Sequence, residues 1–245
     1  MTIQRKLDIC FSPYDYPLYR MDNSIVVVID IFRATSVFCT ALHNGARSIF
    51  PLAEVDQTRE QRGKGFLLAG ERDGIKIPDF DYGNSPYDFM TEEITGRQIA
   101  VTTTNGTQAI NIVKKDAKEI VIGSFLNFSA LVKYLNNRKE DILLLCSGWK
   151  NKMNFEDTIF ASHLAQELLP LGYSSNSSDS IALAKAVADA AGKDILNYIC
   201  RSSPRIQGRM SLLVKDFRFC LQKDQTEVVP VYHKGYLVDS LQTDG

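Results

Sequence analysis

Five acids, two arginines and a run of small hydroxyl residues stand where this chain passes from apolar to polar. Asp30 closes Ser24-Ile25-Val26-Val27-Val28-Ile29, and Arg33 and Thr35 follow it. Glu71, Arg72 and Asp73 close the apolar run Phe66-Leu67-Leu68-Ala69. Thr102-Thr103-Thr104-Asn105-Gly106-Thr107 follows Gln98 to Val101, and Ser147-Gly148 follows a run ending at Cys146, with Glu156 and Asp157 just beyond. Several carboxylates beside small oxygen donors, with no His or Cys cluster, suit a hard cation such as Mg²⁺, which takes oxygen ligands and retains waters. A hydroxyl- and glycine-bearing turn entering a helix suits a phosphate, through backbone N–H groups and the helix dipole. Arg33 and Arg72 would add forked, charge-assisted bonds to phosphoryl oxygens. Together they point to phosphoryl chemistry.

Each feature also has a plainer explanation. Asp30 could be a strand-end acid or a helix N-cap, and Thr102 to Thr107 a capped helix start. Glu71-Arg72-Asp73 could be a solvated, self-compensating turn, and Glu156 and Asp157 are acids that favour any helix start. Cys146 suits a packed small residue better than a nucleophile. The repetition at four strand ends, rather than any one of them, carries the functional reading.

The elements that must position these residues follow from the apolar pattern. Ile25 to Ile29 are five consecutive β-branched residues, the mark of a strand buried on both faces in a parallel sheet. A bare buried carboxylate is costly, so Asp30 is expected at the strand's carboxyl end, facing water, a cation or a ligand. Ala34 to Asn44 has a helical pattern. Further strands are expected at Leu7–Phe11, Ser48–Leu52, Gln98–Val101, Glu119–Gly123 and Asp141–Cys146. Helices are expected at 55–62, 108–115, 129–136, from Glu156-Asp157 to Leu168, and at 180–191 with Asp179 or Ser180 as N-cap. Residues 75–87 are rich in Pro, Gly, Asp and Asn and predict an irregular excursion over the sheet edge. Residues 173–178 read as a loop, and 201–209 as a basic irregular segment with a helix resuming before Asp216. Val228–Tyr232 and Tyr236–Val238 close the chain as a strand pair. The alternation predicts one α/β domain over residues 1–245, three-layer α/β/α with a mostly parallel mixed sheet, in which strands of the same sense bring their carboxyl ends to one edge.

Composition narrows the class. At 245 residues, 44% hydrophobic and 23% charged, the chain can bury a full core, and its net charge of −1 gives no electrostatic case for nucleic acid or an anionic membrane. No apolar run approaches the roughly 20 residues that span a bilayer. Met1 to Lys6 leads into a strand-like Leu7-Asp8-Ile9-Cys10 rather than a signal-peptide core, so a cytoplasmic location is expected. The five cysteines are scattered without a CxxC pair, which disfavours zinc and disulfides. No cysteine has an arginine six positions on, as a thiol phosphatase loop needs. GxxxxGK[ST], GxGxxG and GxSxG are absent. The haloacid-dehalogenase motif fails at its defining positions, where Phe32 and Ala34 stand.

In combination, Val27 to Ser36, Gly70-Glu71-Arg72, Thr102 to Thr107, and Cys146-Ser147-Gly148 followed by Glu156-Asp157 resemble the 2-phosphosulfolactate phosphatase family, and residues 216–230 are also similar. The resemblance implies that family's α/β/α fold and a Mg²⁺-dependent phosphatase releasing phosphate from 2-phosphosulfolactate to give 3-sulfolactate, a step in coenzyme M synthesis. On this reading Asp30 is the central carboxylate, as Mg²⁺ ligand or nucleophile, and Glu71 and Asp157 are metal ligands or proton-transfer groups. Arg33 and Arg72 balance transition-state charge. Thr35, Thr103, Thr104, Asn105, Gly106, Thr107, Ser147 and Gly148 are expected to bind substrate, with Arg205 and Arg209 on its sulfonate and carboxylate. The expected partner is a small anionic phosphoester, with no nucleic acid or membrane and with a homodimer left open. Two alternatives remain: a phosphatase of the same fold acting on another small phosphomonoester, and a non-catalytic anion-binding module. Carboxylates facing a negative ligand speak against the second.

Overall fold

The computed structural model describes residues 5–175 and 178–243. Its strands are β1 (Arg5–Cys10), β2 (Ile25–Ile29), β3 (Ser48–Pro51), β4 (Leu67–Arg72), β5 (Ile75–Lys76) and β6 (Gln98–Thr102). Then follow β7 (Glu119–Gly123), β8 (Ile142–Cys146), β9 (Tyr173–Ser175), β10 (Pro230–His233) and β11 (Tyr236–Asp239). The helices are α1 (Tyr16–Tyr19), α2 (Ala34–His43), α3 (Val55–Arg59), α4 (Gly106–Val113) and α5 (Phe128–Asn136). The remainder are α6 (Phe155–Leu168), α7 (Ser180–Ala191), α8 (Ile195–Ser202), α9 (Pro204–Gln207) and α10 (Met210–Cys220).

The strand period of two divides the core between two faces. Ile25, Val27 and Ile29 of β2 point to one side with Ile142 and Leu144 of β8, where α5, α6 and α7 cover them through Leu131, Phe160 and Ile181. Val26 and Val28 point to the other, against Phe38 of α2 and Ile110 of α4. At the far end, Leu68 and Ala100 pack with Phe66 and Val55, the latter from α3. Each large apolar side chain fully buried this way stabilises the fold by roughly 1.5–3 kcal/mol. The result is the three-layer α/β/α arrangement.

Sheet order is β5-β4-β6-β3-β11-β10-β7-β2-β8-β1-β9. Two parallel blocks, β4-β6-β3 and β7-β2-β8-β1-β9, flank the antiparallel hairpin β10–β11, which pairs antiparallel to each block. The closing hairpin is therefore an internal seam, and along the ladder the two blocks run in opposite senses. Their carboxyl ends nevertheless share one cleft. Six strand-to-strand steps separate β4 from β2, and α2 and α4 pack across the seam, their Phe38 and Ile110 in one core cluster with Val28 of β2 and Ile99 of β6. Val231↔Val121 and Leu237↔Ile49 are the single register pairs at the hairpin's two junctions. The strand ends therefore gather across two opposed blocks, not by a common strand sense along the ladder.

Two further expectations change. Residues 201–209 are largely helical, forming the end of α8 and all of α9, since Ile199 and Ile206 are fully buried and Pro204 stands in the first turn of α9. Tyr173–Ser175 pairs with β1 as an edge strand; Asn176 and Ser177, the rest of the expected loop, lie outside the described residues apart from Ser178.

Candidate active site

At the end of β2 the chain turns directly into α2. Thr35 N–H and Oγ–H donate to the Asp30 carbonyl (3.0 and 2.9 Å), and Asp30 N–H donates to Thr35 Oγ1 (3.1 Å). Thr35 is thus consumed in shaping the turn, and its side chain is fully buried. The Asp30 carboxylate lies beside the Ala34 N–H at the start of α2, which favours its charged form. Across from it lies the first turn of α4: a Cβ on Gly106 would stand 2.6 Å from the Ala34 Cβ and 2.9 Å from Asp30 Oδ2. Only glycine lets these two helix N-termini approach the same carboxylate.

The turn between β6 and α4 is held from inside. Thr103 N–H donates to Thr107 Oγ1 and Thr107 N–H to Thr103 Oγ1, each at 3.1 Å, so these two hydroxyls stabilise the turn instead of reaching a ligand. Thr104 N–H donates to Glu71 Oε1 (2.8 Å) and its hydroxyl to Oε2 (3.2 Å). Gly74 N–H donates to the same Oε2. The acid at the end of β4 is thereby fixed against the α4 turn while still facing the cleft. Arg72 turns away from the cleft. It donates to the Glu71 and Ala53 carbonyls (2.8 and 3.0 Å) and to Thr102 Oγ1 (2.8 Å), pinning β4 to β6.

Asp157 is an anchor rather than a wall of the cleft. Its Oδ1 accepts from Ile31 N–H (2.8 Å), and its Oδ2 from Gly148 N–H (3.0 Å) and Asn154 Nδ2 (2.9 Å), tying the ends of β2 and β8 to the start of α6. Gly148 has φ +62°, and a side chain there would run into the Lys152 carbonyl. Ser147 N–H donates to the Ile29 carbonyl (2.7 Å), while its buried Oγ has no partner.

Of the expected residues, Asp30, Arg33, Glu71, Asn105, Arg205 and Arg209 line one cleft. Arg33 is ion-paired with Asp216 of α10, brought there by the stacking of Phe32 on Phe217 (ring centroids 4.3 Å apart). Arg205 is ion-paired with Glu156, and Arg205 and Arg209 both lie over the Trp149 ring. Trp149 and Asn84 also line the cleft and carried no sequence signal; the Asn84 Oδ1 is buried without a partner. Glu156 was visible beside Asp157, but which of the two meets Arg205 and which is taken up by backbone N–H groups depends on the roll of α6.

The electrostatics centre on Asp30. Burial, then the Glu71 and Glu156 carboxylates, push its pKa from 3.8 to about 7, against the pull of the Ala34 N–H and Arg205. Asp157 is pushed well up by burial and by Asp30 and Glu156. Three acids crowded together and a buried, unpartnered Glu156 Oε2 make an environment that a cation would relieve. Among the described residues, no three His, Cys, Asp or Glu side chains close into a cage for an ion. One or two carboxylates completed by water and phosphoryl oxygens is how Mg²⁺ is ordinarily held, and the oxygen-only donor set fits it.

A family model described as 2-phosphosulpholactate phosphatase matches residues 10–235. A protein of Clostridium beijerinckii is 32% identical over 234 residues, covering 94% of this chain and 98% of its own. One from Thermotoga petrophila is 36% identical over 223 residues, 91% and 95% of the two chains. A third, from Caldanaerobacter subterraneus subsp. tengcongensis, is 35% identical over 215 residues, 86% and 88% of the two. All three carry the description probable 2-phosphosulfolactate phosphatase.

Proposed function

The chain belongs to the 2-phosphosulfolactate phosphatase family, and from that membership we propose that it hydrolyses 2-phosphosulfolactate to 3-sulfolactate and inorganic phosphate. One observation carries the proposal: Asp30, Glu71 and the first turn of α4 meet in a single cleft with Arg33, Arg205 and Arg209. Water supplies the oxygen that ends on phosphate, and the ester oxygen leaves with the hydroxy acid. Asp30 is the central carboxylate, as nucleophile or as ligand. The N-terminal turns of α2 and α4 and the Arg33 guanidinium stabilise the charge that builds on the phosphoryl oxygens. Glu71, fixed by Thr104 and Gly74, keeps its carboxylate toward the reacting group.

Mg²⁺ belongs to the proposal. Asp30 and Glu71 would hold it, with Glu156 behind them, and when bound it supplies Lewis acidity and offsets the repulsion among these acids. Thr35, Thr103, Thr107, Arg72 and Asp157 act through the turns they brace. A place in coenzyme M synthesis and a cytoplasmic location are parts of the same proposal, supported by the family resemblance; among the described residues no helix is long and apolar enough to cross a membrane.

The test is phosphate release from 2-phosphosulfolactate with and without Mg²⁺, in the native protein and in Asp30→Asn. Release that requires Mg²⁺ and disappears in the folded variant is the expected result. Undiminished release in Asp30→Asn would remove that carboxylate from the mechanism.

A further inference from the structure

The cleft holds three guanidinium groups, and they are not equivalent. Arg33 is matched by Asp216 and Arg205 by Glu156, each in an ion pair. Arg209 has no such partner: among the described residues no carboxylate stands within ion-pair distance of it. Its Nη2 donates to the Asp73 carbonyl (3.2 Å), and its guanidinium carbon lies 4.2 Å from the centre of the Trp149 ring. Burial and the neighbouring Arg205 and Arg33 cations lower its pKa by more than the nearby Glu71 and Asp73 carboxylates raise it, so an anion in the cleft would stabilise this charge.

The platform under Arg209 is built to stay in place. Trp149 N–H donates to the Lys152 carbonyl (2.7 Å) and Lys152 N–H returns to Trp149 (3.0 Å), around Lys150 and Asn151 at φ +50° and +61°. Lys150 N–H donates to Asn105 Oδ1 (3.0 Å), locking this turn to the start of α4. Lys150 Nζ reaches Asp73 (2.6 Å), whose carbonyl orients the Arg209 fork. The indole therefore keeps a fixed relation to the phosphoryl end of the cleft while carrying Arg209 on its face.

We propose that Arg209, oriented on Trp149, reads a second anionic group of the substrate, distinct from the phosphoryl group that Asp30 and Arg33 address. This rests on the phosphomonoesterase reading above and adds to it a division of labour. Two charge-balanced arginines serve the reacting end, and the unbalanced one selects phosphoesters that carry another carboxylate or sulfonate. Arg209 contacts the substrate, and Trp149 is a positioning residue that acts through it. A planar guanidinium suits the task because it stacks on the indole while its edge remains free for a forked bond to an oxyanion.

The selectivity ratio tests it. For ethyl phosphate, 2-phospholactate and 2-phosphosulfolactate, kcat/KM is measured in the native protein, Arg209→Met, Arg209→Lys, Trp149→Phe and Trp149→Leu. Arg209→Met is expected to lower the ratio of either polyanion to ethyl phosphate by about ten- to a hundredfold, the range for a charge-assisted hydrogen bond, chiefly through KM. Loss with both polyanions assigns the carboxylate, and loss with 2-phosphosulfolactate alone assigns the sulfonate. Arg209→Lys, which keeps charge but not the fork, and Trp149→Phe, which keeps a ring, should fall between. A ratio that Arg209→Met leaves unchanged overturns the proposal, since a merely structural role would lower all three substrates together.

Trp149 is also the chain's single tryptophan, so its emission reports binding without turnover. Titration with 3-sulfolactate should shift it in the native protein, and Arg209→Met should weaken that response by about tenfold. Equal binding by both proteins would refute the assignment. A native protein that binds 3-sulfolactate through Arg209 yet cleaves none of the three esters would refute the phosphatase reading and leave the anion site standing.

Discussion

The Arg33 guanidinium is ion-paired with the Asp216 carboxylate across 183 residues of chain, with 7% and 10% of the two side chains exposed. Ser85 Oγ–H also donates to Asp216 Oδ1 (3.0 Å), so one acid on α10 fastens both the α2 turn and the irregular segment before β6. Removing one member of such a pair strands the other charge. Asp216→Ala is expected to destabilise the protein by about 3 kcal/mol in urea unfolding. The pair Arg33→Met with Asp216→Leu should recover much of that stability while phosphate release stays lost. Recovery of activity in the double variant would show that Arg33 is present for packing.

Gly106 allows the α4 turn to close on Asp30. In Gly106→Ala the new methyl meets the Ala34 Cβ, which has no rotamer by which to escape, and Asp30 Oδ2. The helices must part, at a cost of about 1–3 kcal/mol. Activity should fall further than that cost implies, because the displaced atoms are the anion-facing amides. A variant with native turnover and stability would mean that the turn has slack the close approach does not reveal.

The acid cluster predicts a pH dependence in protein stripped of divalent ions. Asp30 ionises near 3.8 unfolded and at about 7 folded. Its raised folded-state pKa means that stability is fully kept below pH 4, declines as pH rises toward 7, and is flat above; the full effect is about 4 kcal/mol. Asp30→Asn has no proton to lose. Its stability advantage over the native protein should therefore grow by about 2–3 kcal/mol between pH 5 and pH 8. Mg²⁺ should erase most of that advantage at pH 8. Parallel stability curves for the two proteins would contradict the crowding of Asp30, Glu71 and Glu156.

Asp157 should give a smaller effect. Asn at this position turns an NH₂ group toward the N–H of Ile31 or toward those of Gly148 and Asn154, whichever way the amide is flipped. Those lost bonds cost about 1–3 kcal/mol, while the burial and crowding that raise the pKa of Asp157 favour a neutral side chain as pH rises. Metal-free Asp157→Asn is thus expected to gain less over the native protein at pH 8 than Asp30→Asn does, and an equal gain would mean that the bonds to Ile31, Gly148 and Asn154 contribute nothing.

Much of this was written locally. The β-branched run ending at Asp30 marks a doubly buried strand with an acid at its tip, because apolar periodicity and the cost of a buried charge act within a few residues. The same logic located β6, β8, α2 and α6 to within a residue or two and identified Asp30, Glu71 and Asn105. Arg72, Thr35 and Thr107 have residue types as suitable for a phosphate site as Arg33 or Asn105, and their side chains bond backbone carbonyls instead. No spacing rule separates those cases, since an arginine binds whichever oxygen the fold brings near. Tertiary structure alone decided the rest: the packing that brings the strand ends of two opposed parallel blocks to one cleft, the roll of α6 that turns Glu156 to Arg205 and Asp157 to the backbone, and the arrival of Asp216, Asn84 and Trp149. Each of these depends on distances between segments far apart in the chain, set by the packing of the whole sheet.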